Sequence, residues 1–435
     1  MIIDRVTETD AAPSPTRLTP VQRIAASISD PVLRVLVLST LIGRVGRGIF
    51  LTVTVLYFTL IVGLSAAEVA LVLAASSAVG VGASLLGGQL ADRFSARRLL
   101  LGFSALSGLG LISYVFATSF ASALLIACLV GAADSASNAT RMAIIARAFT
   151  GAARVNARAV LRTVTNIAIA AGSALGGLAL LVGTADAYRC ILIGAGAIYL
   201  LGCTMLLRLP ASVDAPPREI GVDTSARAAI SADRRLHSPW RNPRYLALSA
   251  LSAVFGIQFG LAEVGVPLWI AHDTSAPTAL VAAVLILNTI VVIVFQVPLS
   301  RGTHDLRRAG AVTAWAGVIM AAACLLYFAA SGFGVIAAAL LLLAAALAHA
   351  FAEVLSQAGG WGLSFELADA AAPGAYQGVF SMAFSVGSML APVVVTAALA
   401  HGFAGWAGLA VMFLLAAFGT DAIARRAARR LQPIH

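Results

Sequence analysis

The chain has 435 residues, 60% of them hydrophobic and 11% charged, with a mean hydropathy of +0.94. A soluble globule must cover its surface with polar groups, so this composition excludes one and leaves a polytopic membrane protein. The net charge of +10 comes from 29 basic residues, all arginine. Their position at the ends of apolar runs excludes the nucleic-acid partner that such a balance would imply in a soluble chain.

Residues 1–30 carry Asp4, Arg5, Glu8, Asp10 and three prolines before Val21, with no signal-type apolar core, and read as a cytoplasmic tail. Asp30-Pro31 reads as a helix cap followed by Pro at the first helical position, and helix 1 is expected over 31–62. Further runs of membrane length fall at 66–91, 99–119, 121–146, 159–183 and 187–208. The polar segment 209–241 reads as a cytoplasmic linker, with a surface helix expected near 224–236. Six more runs follow at 243–271, 278–299, 309–330, 334–358, 374–400 and 405–424, then a tail, 425–435. Continuous apolarity argues for helices, since barrel strands alternate in polarity. The fold class is therefore all-α, with twelve transmembrane helices.

Arginines concentrate in alternate loops, as in Arg93, Arg97 and Arg98, Arg147, Arg154 and Arg158, the linker, Arg301, Arg307 and Arg308, and Arg425 onward. The positive-inside rule then puts both termini in the cytoplasm. The halves 31–208 and 242–424 also resemble one another. Asp30-Pro31 recurs 212 residues later (242 − 30) as Asn242-Pro243. Gly172-Ser173-Ala174-Leu175-Gly176-Gly177 recurs 215 residues later (387 − 172) as Gly387-Ser388-Met389-Leu390-Ala391-Pro392.

The turn Gly88-Gln89-Leu90-Ala91-Asp92-Arg93-Phe94-Ser95-Ala96-Arg97-Arg98 resembles the loop between helices 2 and 3 of the major facilitator superfamily (MFS), with Ser95 in place of a glycine and Ala96 in place of a basic residue. The helix 5 glycines Gly172, Gly176 and Gly177 resemble the family's antiporter motif, which has a proline where Ser173 stands. The resemblance implies two pseudosymmetric six-helix bundles around a midplane cavity lined by helices 1, 4, 7 and 10, working by alternating access. It also implies gating by Gly88, Asp92, Arg93, Arg97 and Arg98, joined by Arg141 through Asp92 and by the helix 5 glycines. The plain reading of those glycines, close packing between helices, is the favoured one.

Ionisable residues inside spans are the candidates for chemistry, because each costs about 2.5–3.5 kcal/mol at mid-membrane on insertion scales. Arg44 and Arg47 share a face of helix 1. Asp134, Asn138 and Arg141 form a stripe on helix 4, with Asp134 as the partner for either arginine. Helix 7 offers Glu263, four residues before Pro267, and helix 10 offers His349, Glu353 and Gln357 at four-residue spacing. His349 reads either as a core histidine bonded to Glu353 or as part of a proton site. Glu263 and Glu353 lead as proton-coupling residues, having no Arg close in their own helices, with Asp134 third. All of these except Arg141 are expected in the substrate cavity. Trp269, Trp315 and Trp406 read as interfacial anchors.

Cys128, Cys190, Cys203 and Cys324 lie scattered in apolar runs, giving neither a disulfide framework nor a metal site. No nucleotide-binding or hydrolase motif occurs, so neither an ATP-driven pump nor an enzyme is expected. The resulting expectation is a cofactor-free, monomeric, proton-driven exporter (antiporter) of an amphipathic small molecule such as a drug or secondary metabolite, in a plasma membrane. The all-arginine usage hints at a bacterial source. Uptake or exchange of an anionic metabolite is the second reading, and a non-transporting receptor or scaffold of the same fold the third.

Overall fold

A computed structural model describes residues 30–182, 184–214 and 237–430. The surface helix expected near 224–236 lies outside the described residues. Twelve helices among those described are long and apolar enough to cross a membrane, and no strand occurs among them. In chain order they are α1 (Pro31–Ile61), α2 (Ala66–Ala91), α3 (Ala96–Ser113), α4 (Phe120–Ala148), α5 (Gly151–Val182) and α6 (Ala185–Leu206), then α7 (Pro243–His272), α8 (Leu280–Leu299), α9 (Leu306–Ala329), α10 (Val335–Glu366), α11 (Pro373–Leu399) and α12 (Gly402–Arg430).

The repeat expected from the caps is present in three dimensions. Asp30 accepts the Leu33 N–H at 2.9 Å with Pro31 at the first position of α1, and Asn242 accepts the Tyr245 N–H at 3.1 Å with Pro243 opening α7. Gly172 lies so close to the backbone of α1 at Val45, and Gly387 to that of α7 at Ala253, that a Cβ at either would overlap a carbonyl. The same helix pair, fifth against first, is thus closed by the same residue type in each half.

Several boundaries differ from the expected ones, and two of the differences matter. α5 begins at Gly151, whose φ of +47° lets the chain turn sharply after α4, rather than at 159. Arg154 and Arg158 therefore sit on the helix, not in a loop. α10 runs on to Glu366 rather than ending at 358, which makes Trp361 and Phe365 helical neighbours of Gln357. α12 also continues, to Arg430.

One continuous core joins all twelve helices at the end carrying the 92–95 turn, from Val32 and Leu36 through Met142, Leu161 and Tyr245 to Phe380 and Ala424. At the opposite end the core divides. One cluster, around Phe58, Tyr114 and Leu192, belongs to α1–α6, and another, around Trp269, Tyr327 and Trp406, to α7–α12. The bundles are thus welded at the basic end and separate at the other. Trp269 and Trp406 correct the interfacial expectation. Both are buried, their rings 5.3 Å apart, and Trp269 donates to the Tyr327 carbonyl at 2.7 Å. Trp315 is exposed.

The described ends of the linker are tied to this welded end. Asp214 accepts from Ser95 Oγ at 2.8 Å and from the Arg97 N–H at 3.0 Å, and pairs with Arg97 Nε at 3.2 Å. His237 lies 2.6 Å from Asp369. Burial pushes the Asp369 carboxyl up, but the hydrogen bonds from His237 and the Ala371 N–H outweigh it and hold it below its ordinary value.

Candidate functional site

The seam between the bundles is closed at the basic end by α2 against α11. Gly88 abuts Gly374 and Gly378, leaving no space for a side chain. Asp92, just beyond the end of α2, accepts the N–H groups of Gly374 and Ala375 at 2.9 and 2.6 Å, where the start of α11 has free donors. Its cation is Arg147, at the end of α4. Arg141 was the expected partner. It lies nearly two turns deeper and instead donates to Thr40 Oγ1 at 2.5 Å and Ser39 Oγ at 3.4 Å on α1. Ser95 does work that a glycine could not, capping α3 through the Arg98 N–H while donating to Asp214. Arg93 and Arg98 are exposed. Of the helix 5 glycines, Gly172 and Gly176 press on α1 within one bundle, while Gly177 faces open space. Their packing is internal to that bundle rather than part of the seam.

Further in, α5 meets α10 through three arginines one turn apart. Arg154 pairs with Glu366 at 3.5 Å, Arg158 lies over the Trp361 ring at 4.4 Å, and Arg162 pairs with Glu353 at 2.5 Å. Arg162 lies about 16 Å along α5 and Glu353 about 20 Å from the end of α10, near mid-membrane depth. Asn288 of α8 donates to the other Glu353 oxygen at 3.0 Å, and Gln357 accepts from Trp361 Nε1 at 3.0 Å. Among the described residues, no hydrogen bond or ion pair joins the bundles beyond Arg162 and Glu353. Past that rung the apolar cores of the two bundles are separate.

Glu353 has no arginine on its own helix, but one reaches it from α5. Its side chain is only 5% exposed. Arg162 was missed because it stands alone in an apolar run. The signal that finds it is the four-residue spacing of Arg154, Arg158 and Arg162 once α5 is allowed to start early. His349 is not bonded to Glu353. It turns into its own bundle, with Nδ1 at 3.5 Å from Tyr327 OH. Four residues of helix overshoot one turn by about 40°, so His349 and Gln357 diverge by about 80° and cannot share one surface.

Glu263 remains. It is exposed and has no hydrogen-bond or ion-pair partner among the described residues. It lies in a π-helical turn, Leu261–Gly265, that interrupts α7. Pro267 lacks the N–H that a regular helix would aim at the Glu263 carbonyl. One turn earlier, Phe259 meets the Phe384 ring edge-on at 5.6 Å and lies 5.3 Å from the Arg162 guanidinium. A free carboxylate, an aromatic wall and the Arg162–Glu353 pair thus gather at one level.

On the other side Arg44 pairs with Asp134 at 3.2 Å, and Tyr199 OH donates to the same carboxylate at 3.2 Å. Of the two expected partners for Asp134 it is therefore Arg44 that binds. Arg47 is half-buried, over the Phe50 ring at 5.4 Å, with no carboxylate partner among the described residues. Asn138 is half-buried on the same stripe.

The family model described as Major Facilitator Superfamily matches residues 36–392. An uncharacterized MFS-type transporter, YqjV, of Bacillus subtilis (strain 168) is 34% identical over 71 residues, which is 16% of this chain and 17% of that protein. The chain resembles the solved structure of the human organic anion transporter MFSD10 with a TM-score of 0.69 at 16% identity, covering 90% of this chain and 99% of that one. It resembles the proton:xylose symporter XylE with a TM-score of 0.65 at 15% identity, covering 90% and 95%. FucP in its outward conformation gives 0.65 at 14% identity, covering 94% and 100%. At these identities the three structures share the fold.

Proposed function

Because this chain belongs to the major facilitator superfamily, and is thus a multi-pass membrane transporter rather than an enzyme, we propose that it exchanges protons for an amphipathic small molecule. The reading is of a monomeric exporter in a bacterial plasma membrane, with the basic end and both termini in the cytoplasm. On this reading the form described is closed at the cytoplasmic end, where Asp92 meets α11, and opens to the outside. The observation that carries the reading is Glu263, an exposed carboxylate without a partner, one turn from Phe259 in an irregular stretch of helix. Such a group can lose its proton to water in the open cleft. A substrate held against Phe259 and Phe384 then competes with the next proton for the same carboxylate, which couples the two in opposite directions. Glu353 and Asp134 serve this cycle as the bonded partners of Arg162 and Arg44.

Uptake or exchange of an anionic metabolite is the second reading. Arg47, a cation in mid-span without a carboxylate, is the observation in its favour.

Proteoliposomes holding a pH-sensitive dye test both, with a panel of cationic, neutral and anionic amphipaths outside. Proton movement opposite to substrate, lost in Glu263→Gln while downhill substrate exchange survives, is the expected result. Antiport persisting in Glu263→Gln removes that residue from coupling. Proton movement alongside an anion establishes the second reading, and no flux with any substrate establishes a scaffold.

A further inference from the structure

The three arginines of α5 form a ladder against α10 whose outer rungs each end on a carboxylate, Glu366 for Arg154 and Glu353 for Arg162. The middle rung does not. No carboxylate of the described residues pairs with Arg158, whose guanidinium instead lies 4.4 Å from the Trp361 ring centre. At that rung the seam holds a cavity of about 10 Å³, lined by Arg158, Arg162, Gln296, Ser300, Gln357 and Trp361. That is room for about one water-sized particle. The Nε–H groups of both arginines are buried there without an acceptor, and Gln296 Oε1 is likewise unpartnered. Gln296 Nε2 donates to Ser300 Oγ at 3.1 Å, so the two arginine Nε–H groups are the donors left over there.

Among the charged groups that line the cavity and the carboxylate bonded to them, Arg158 and Arg162 stand against Glu353, one positive charge in excess. Burying an uncompensated ion is costly, and a cation–π contact returns only a part of it. What the cavity lacks is one negative charge of water size, with N–H donors converging on it.

We propose that this cavity binds a monoatomic anion, chloride under ordinary conditions, which supplies the missing charge of the middle rung and braces the two bundles together at the closed end. The site is too small for the carboxylate of an organic substrate. It lies between the gate and the open cleft, so a halide there adds to the closed-gate form without occupying the place assigned to substrate.

The test uses the purified full chain in detergent, with thermal unfolding measured in sodium chloride and in sodium gluconate at equal ionic strength. Saturating chloride is expected to raise the midpoint by about 2–4 °C over gluconate, with bromide acting likewise and sulfate not. Arg158→Gln loses this increment, whereas Arg34→Gln, which removes an exposed arginine at the start of α1, keeps it. Gln357→Glu places a carboxylate in the cavity, so that variant is expected to be stable in gluconate and to gain nothing from chloride. Should Arg158→Gln fail to fold, Gln357→Glu carries the test alone. Equal midpoints in the two salts for the unmodified protein overturn the proposal. So does a chloride increment retained by Arg158→Gln or Gln357→Glu, or one matched by sulfate.

Discussion

Arg162 of α5 and Glu353 of α10 stand 191 residues apart in the chain and 2.5 Å apart in space, and theirs is the innermost bond between the two bundles. The pair is mostly buried, at 20% and 5% exposure, and Asn288 satisfies the second carboxylate oxygen. Breaking such a pair from one side leaves the other charge stranded. Arg162→Gln and Glu353→Gln are each expected to cost about 3–5 kcal/mol of stability, measured by thermal or denaturant unfolding in detergent. The double variant is expected to cost less than the sum by about 1–3 kcal/mol. Additive losses would mean that the two side chains do not act as a unit.

The gate makes a sharper demand, because one atom decides it. A Cβ at Gly88 would overlap the Gly374 carbonyl and come within 2.9 Å of Gly378 Cα, both backbone that cannot swing aside. Overpacking of this kind costs about 1–3 kcal/mol, and only the form closed at the basic end bears it. Gly88→Ala is therefore expected to shift the population toward opening at that end by about tenfold or more. A cysteine introduced at Ala358, in the seam, should then react faster with a polar thiol reagent than the same cysteine in the parent protein. Unchanged reactivity would show that α2 and α11 part without regard to this contact.

How much of this was readable beforehand follows from what the membrane imposes. A span must be apolar for about 20 residues whatever it packs against, so the twelve helices and the caps at Asp30 and Asn242 are local properties of the chain. The ion pairs are not. Arg141 and Arg147 both sit near the end of α4, and only the position of α2 decides that Asp92 takes the second. The Glu353–Arg162 pair goes unseen because the cation lies on a distant helix, and His349 is set beside Glu353 because a four-residue step looks like one face. The first error is one of tertiary pairing, which no periodicity contains. The second is geometric and avoidable, since the 40° drift per step is known in advance. Glu263 stands out in the sequence as an acid with no arginine close in its own helix, and among the described residues it has no hydrogen-bond or ion-pair partner.

The linker offers a gentler test. Asp214 fixes the 92–95 turn through Ser95, the Arg97 N–H and Arg97 Nε, but Arg97 is 35% exposed, so solvent screens the pair. Asp214→Ala is expected to cost no more than about 1 kcal/mol overall. Its local effect is larger. The Arg97 amide loses its acceptor, and its hydrogen exchange should quicken several-fold while amides in the core of α3, such as Ser104, hold their rate. Uniform quickening along α3 would mean that Asp214 supports the whole helix instead of the turn.

Arg44 and Arg47 lie three residues apart on α1, yet the structure gives them opposite circumstances. Arg44 is bonded to both oxygens of Asp134, at 3.2 and 3.3 Å, and Tyr199 completes that cluster. Arg47 makes no hydrogen bond or ion pair among the described residues; it lies over the Phe50 face and reaches Asp134 only through its field. Removing Arg44 strands a carboxylate within the bundle, so Arg44→Gln is expected to lose about 3–5 kcal/mol. Removing Arg47 strands nothing and relieves an unpaired charge at mid-membrane depth, so Arg47→Gln is expected to be neutral or stabilising, within about 1 kcal/mol. If Arg47 meets an anionic substrate, the order reverses for transport. Arg47→Gln then abolishes uptake of anionic amphipaths with an unchanged unfolding midpoint, while cationic ones are moved as before. The two unfolding midpoints, measured side by side, check the pairing. An Arg47 variant less stable than the Arg44 variant would show that Asp134 exchanges partners, and that the bond drawn to Arg44 is only one of its states.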